Sequence, residues 1–299
     1  MTSWIFFVFI AQGIWAFTTL IDKFVISKGH IRSPFVYVVL NGLMNILIIF
    51  LLPFFDLEPL SFADFLVLIL SGATFTAAMI FYYKAVQYDE ISRIAILYQL
   101  GPVFVFILSF LFLEDTLTKN HFIGFIFLLI AGIIVSYRRT GKKFRFSKAF
   151  LLMLISMLFS SISFVSAKHI FDVTSFWNAF LWLRLSGFTS IFVLFSPSVR
   201  NQFIETYRAN GSKTRVLLGF KMLIDFIAFI FAGYALQIGQ APLVSALAST
   251  FLPLFVFLLT VIISIYFPRI LNEKIDKKAV FTKILAIALI VIGIMFVNF

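Results

Sequence analysis

Arg184 and Asp225 are the ionisable residues set deepest inside long apolar stretches of the sequence, and they define the chemistry open to it. A guanidinium is a planar fork of donors that suits a carboxylate or a phosphate, whereas a carboxylate in apolar surroundings suits a proton or an amine. Two structural roles stand beside these: a mutual ion pair, or a pair between Asp225 and Lys221, four residues earlier on the same helical face. In the first apolar stretch Gln12, Trp15, Thr19 and Asp22 fall on one face of a helix, and Ser156, Ser160 and Ser163 do the same in the sixth. Such a stripe lines a wet cavity or packs against a neighbour, since Ser and Thr hydrogen-bond between helices. A second matched pair runs through Ser92, Ala95, Gln99 and Pro102, with Tyr98 one position off, and through Leu243, Ala246, Thr250 and Pro253. Each proline frees a backbone carbonyl, which serves a hinge beside a ligand or a plain kink. Tyr234 points away from Asp225 on a shared helix, so the two cannot line one cavity. The candidate binding residues are therefore Gln12, Trp15, Tyr98, Gln99, Ser160, Ser163, Arg184, Tyr234 and Thr250. Asp225 is the candidate for proton coupling, and Pro102 and Pro253 are the candidate hinges.

The elements that must position these residues follow from composition. Of 299 residues 62% are hydrophobic and 12% charged, with a mean hydropathy of +1.08, which no water-soluble domain can hide in its interior. The absence of cysteine excludes disulfides, thiolate metal sites and cysteine nucleophiles. His30, His121 and His169 fall at separate helix ends with no carboxylate at ligand spacing, so no metal site is expected, and no cofactor. No phosphate loop, nucleophile elbow or zinc-protease motif is present, which argues against an enzyme. Crossing a bilayer takes about 20 apolar residues. Runs of that kind occupy 4–27, 34–54, 62–85, 91–113, 119–137, 148–171, 175–196, 216–237, 242–267 and 279–298. The expected fold is all-α and integral to the membrane, with ten transmembrane helices. The 43 phenylalanines fit either an AT-rich coding composition or an aromatic lining.

The net charge of +11 is a signal of orientation. Counting connections in chain order, the odd ones carry 18 of the 24 Lys and Arg residues, including the run from Arg138 to Lys148. The positive-inside rule then places the odd connections in the cytoplasm and both termini outside, in a multi-pass protein of the cell (inner) membrane. Anionic lipid headgroups, not nucleic acid, are the expected contact of this charge.

The chain also repeats itself. Tyr83 to Gln87 is echoed by Tyr234 to Gln237, Gln99 to Phe104 by Thr250 to Phe255, and Trp15 to Lys23 more loosely by Phe159 to Lys168. The echoes divide the chain into five-span halves, 1–146 and 147–299. An odd number of spans inserts the halves with opposite orientation, the arrangement of carriers that alternate between two openings around a midplane site.

The order of these residues resembles an EamA module: Trp15 and Lys23 in the first span, Tyr83 and Ala85 closing the third, Ser92, Ala95, Pro102, Val103 and Phe104 in the fourth, and Glu114 before Gly124 and Gly132 in the fifth. Two such modules make the ten-helix carriers of the drug/metabolite transporter superfamily. The resemblance implies a secondary transporter of a small amino-acid-like or drug-like solute, working by alternating access with or without proton coupling. Its implied partners are that solute and membrane lipid; it sets no oligomeric state, and a monomer is compatible with it. Asn41 stands where such modules often carry Arg, with Arg184 as the equivalent in the second half. Extra residues lie around Glu273, Gly124 has no clear counterpart, and the outside termini are opposite to those of most such carriers. The other functions open to the sequence are a flippase for a lipid-linked or amphipathic substrate, which the phenylalanine content suits, and a non-transporting membrane subunit.

Overall fold

The structure, a computed structural model, describes residues 3–27, 31, 33–55, 57–86, 88, 97–98, 100–113, 117–136, 148–266 and 277–298. Among them there is helix and connecting chain but no strand. The helices are α1 (Ser3–Ser27), α2 (Pro34–Met44), α3 (Phe62–Val86), α4 (Leu100–Phe112), α5 (Lys119–Ser136), α6 (Lys148–Val173), α7 (Phe176–Ser186), α8 (Pro197–Ala209), α9 (Ser212–Ile238), α10 (Ala241–Tyr266) and α11 (Lys277–Asn298). Each of the ten apolar runs contains helix. Six of the helical stretches are long and apolar enough to cross a membrane, and Pro34–Phe50, Leu100–Phe112, Lys119–Ile134 and Ile284–Phe296 are shorter.

The eleventh helix, α8, falls where the sequence suggested only a basic connection. It begins with Pro197 after an extended Ser196, a placement in which the missing proline N–H costs nothing. Val199 is buried while Arg200, Glu205 and Arg208 face outward, so α8 is amphipathic and lies against the bundle.

The second and seventh apolar runs share a feature that periodicity could not reveal. Each tightens from α-helix to 3-10 helix, at Asn45–Phe50 after α2 and at Gly187–Phe195 after α7. Asn45 Nδ2 donates to the Gly42 carbonyl at 3.1 Å, the local side-chain bonding that competes with a helical ladder. The second 3-10 stretch packs on α2 and α3, and the first on α7. The approach is close enough that a Cβ on Gly72 of α3 would lie 2.3 Å from the Ser186 carbonyl oxygen.

Elsewhere the helices are joined by single hydroxyl-to-carbonyl bonds. Ser71 donates to the Ser163 carbonyl at 3.1 Å and Ser156 to that of Ala78 at 2.8 Å, both between α3 and α6, while Thr250 of α10 donates to the Leu128 carbonyl of α5 at 3.0 Å. These bonds satisfy hydroxyls that lipid would leave unpaired. An aromatic core gathers Phe171, Phe176, Phe180, Phe226 and Tyr234, with Tyr234 stacked 3.5 Å from Phe176. Other phenylalanines, among them Phe54, Phe62, Phe112 and Phe195, are more than 70% exposed on the apolar outer surface. The phenylalanine excess thus serves both the lipid face and the interior.

Contacts between connections sort by end. At one end Ser33 Oγ donates to Gln202 Oε1 at 2.6 Å and Lys148 Nζ to the Tyr88 hydroxyl at 3.0 Å. At the other, Trp182 Nε1 donates to the Glu58 carbonyl at 2.8 Å, His169 lies 2.7 Å from Asp64, and Lys168 Nζ donates to the Gln237 carbonyl at 3.0 Å. Residues in or beside the odd connections meet one another at the first end, and residues in or beside the even ones at the second.

Candidate functional site

The polar stripe of α1 runs along the seam between α1 and α9, which pack closely. Trp15 sets its ring edge against Phe229 of α9, centroids 5.1 Å apart at 78°. Over the same ring lies Arg184 from the last turn of α7, its guanidinium carbon 4.0 Å from the Phe229 centroid and 5.5 Å from that of Phe180. A cation over an aromatic face is attracted by the ring quadrupole, but the interaction takes up none of the guanidinium's N–H groups. Arg184 Nε is buried with no hydrogen-bond partner. A donor left in that state costs stability, and an anionic group arriving beside it would recover that cost. Gln12, one turn before Trp15 on the same face, is buried at 4% exposure. Arg184 of α7 and Trp15 of α1 therefore both meet Phe229 of α9, a cationic fork beside aromatic rings, with Gln12 one turn along α1.

Arg184 and Asp225 do not pair. Asp225 is bound by Lys221 Nζ at 2.5 Å, the intrahelical alternative. The same ammonium lies 3.4 Å from Asp22 of α1, which accepts the hydroxyl of Tyr37 from α2 at 3.2 Å. Asp22 entered the sequence reading only as one member of a polar stripe. Its ionic partner Lys221 lies about 200 positions away along the chain, and no local spacing signals a contact across that separation.

The remaining candidates are dispersed. Thr250 is fully buried and bonded to two carbonyls, those of Leu128 and Ala246. Ser163 meets Ser71 at the α3–α6 contact, and Ser160 is half-buried about one turn from both Ser156 and Ser163. Tyr234 is stacked between Phe176 and Phe7. Tyr98 sets its ring edge against Tyr82 at 5.4 Å, in a cluster with Leu97 and Met153. Pro102 lies in the first turn of α4, and Pro253 is inside α10. Gln99, Ser92 and Ala95 lie outside the described residues, as do Glu114 and the side chain of Lys23. Among the described residues no group of three metal-ligating side chains forms.

Residues 2–138 match the EamA-like transporter family. No curated protein matches the chain. A crystal structure of another protein, 16% identical, superposes with a TM-score of 0.70 and covers 98% of this chain and 96% of its own, a likeness of fold. With a stretch in its first half that matches the EamA-like transporter family and six helices of spanning length among the described residues, the chain is a multi-pass membrane protein with an EamA-like domain, consistent with the drug/metabolite transporter superfamily.

Proposed function

We propose that the chain is a secondary active transporter for a small metabolite, amino-acid-like or drug-like, whose anionic group docks at Arg184 beside Trp15, Phe229 and Gln12. The observation that carries this reading is the buried Arg184 Nε with no partner, beside a guanidinium held over Phe229 of α9. A purely structural arginine is expected to satisfy its fork with protein acceptors.

Alternating access by inverted repeats, 1–146 and 147–299, is supported by the packing. Exchanging each span for its counterpart in the other half turns the α3–α6 contact into α9–α1, and the α4–α6 contact into α10–α1. It leaves α5–α11 and α4–α10 in place, and all of these contacts occur. The contact of α5 with α10 has no such counterpart among the described residues. Two arrangements of a pseudo-symmetric bundle that swap these contacts would open it to opposite sides in turn. On this reading the basic odd connections face the cytoplasm of an inner-membrane protein and both termini lie outside.

The test is ligand-induced thermal stabilisation of the purified protein against a panel of carboxylates, phosphates and amines, followed by counterflow of any binder in liposomes. An anion should raise the melting temperature of the wild type and fail to do so in Arg184→Ala. Stabilisation by cations alone would refute the assignment of Arg184.

A further inference from the structure

The charged network at the α1–α9 seam holds one carboxylate more than its ammonium can neutralise. Lys221 lies 2.5 Å from Asp225 but 3.4 Å from Asp22, so it is committed to the first and only loosely shared with the second. The Lys221 and Asp225 side chains are each 9% exposed and that of Asp22 28%. A surplus negative charge in such a place is costly. A metal ion is poorly served there, because the ammonium already occupies the space between the carboxylates and hard cations need many oxygens. A proton needs only one. The groups facing Asp22 are Lys221 and Asp225 from α9, Tyr37 from α2, and Tyr83 of α3, which packs against Tyr37 at 5.5 Å with Tyr82 beside it. The helix α10, also packed on α1, carries no ionisable side chain from Ala241 through Ile265.

The position of the network gives the surplus charge a role. Asp22 is seven residues beyond Trp15 on α1, and Lys221 is eight before Phe229 on α9. The network therefore lies on the same seam as the Arg184 site, about 10 Å nearer the α1–α2 connection. We propose that it is a proton-operated latch: with Asp22 ionised, the Lys221 bridge holds α1 to α9 over the Arg184 site, and a proton on Asp22 releases that hold. The proton comes from water at the α1–α2 end and forms an O–H bond on an Asp22 carboxylate oxygen. Lys221 keeps its own proton and its contact with Asp225, and the Tyr37 hydroxyl keeps its hydrogen bond. Only the ionic contact between helices is lost, and the reverse step returns the proton. This rests on the carrier reading of the Arg184 site.

The chain has no cysteine, so two introduced at Phe24 and Phe220, both on the outer surface of this end of the seam, accept spin labels at those positions alone. Distances are then measured by electron resonance in the full-length protein in lipid nanodiscs, without substrate. Between about pH 8 and about pH 5, where buried carboxylates titrate, the wild-type distance should lengthen. Asp22→Asn should show the long distance at both pH values, and Asp225→Asn, in which Lys221 passes to Asp22, should hold the short distance to a lower pH. Both variants leave Lys221 a carboxylate, and Asp22→Glu should restore the wild-type response. A wild-type distance that does not change with pH, or a full response in Asp22→Asn, overturns the latch. A ligand-driven change at fixed pH without a pH-driven one overturns the latch and leaves the carrier standing; the converse supports the latch and removes the carrier.

Discussion

Three side chains that donate hydrogen bonds have different fates, and their variants should behave differently. Arg184 has a buried Nε without a partner. Arg184→Ala should weaken an anionic ligand by roughly 10- to 100-fold, since a hydrogen bond to a charged group contributes about 1.5–3 kcal/mol. Arg184→Lys should recover only part of that, because the point charge lacks the fork and the stacked plane; titration of the melting temperature with ligand measures both. Thr250 already donates to carbonyls on its own helix and on α5. Thr250→Val should leave ligand affinity unchanged and lower stability by about 1 kcal/mol or less, the usual scale for hydroxyl bonds in membranes, read as a small fall in melting temperature. Lys221 is in contact with two aspartates at once. Lys221→Met strands both and should cost about 3–5 kcal/mol, whereas Asp22→Asn should cost little. Equal melting temperatures for those two variants would refute the bridging role of the lysine.

At the scale of elements, the 3-10 stretches after α2 and α7 bring helices closer than regular side chains allow. Gly72→Ala drives a methyl into the Ser186 backbone, not into a side chain that can swing away. The expected loss is about 1–3 kcal/mol, the usual range for overpacking, with a lower melting temperature and less folded protein. Gly219, whose added Cβ would meet nothing within 4 Å, is the matched control, and Gly219→Ala on α9 should be neutral or slightly stabilising because alanine favours helix. The elements themselves were largely legible. Each apolar run contains helix because lipid permits no unsatisfied backbone. The helix α8 was missed because its apolar face is short and its charges read as a connection. The 3-10 tightening was missed because a change of helix type leaves apolar composition unaltered.

At the scale of the molecule, residues in or beside the connections meet in odd and even groups. A reporter fused after Phe299 should therefore report the side opposite to one inserted between Gly141 and Lys142, and the charge bias puts Phe299 outside. A cytoplasmic signal from the Phe299 fusion would reverse that orientation. By itself the sequence determined the class of the protein and the positions of its helices, because both depend on local quantities: apolar content, run length and the charge of each connection. It also supplied the residues of the α1 stripe and Arg184. Which of them meet was decided by the tertiary structure alone. The placing of Trp15, Phe229 and Arg184 in one group, and of Asp22 with Lys221 instead of Arg184 with Asp225, depends on how helices far apart in sequence are rotated and packed. Periodicity fixes the face a residue occupies on its own helix and carries no information about the helix that face will meet.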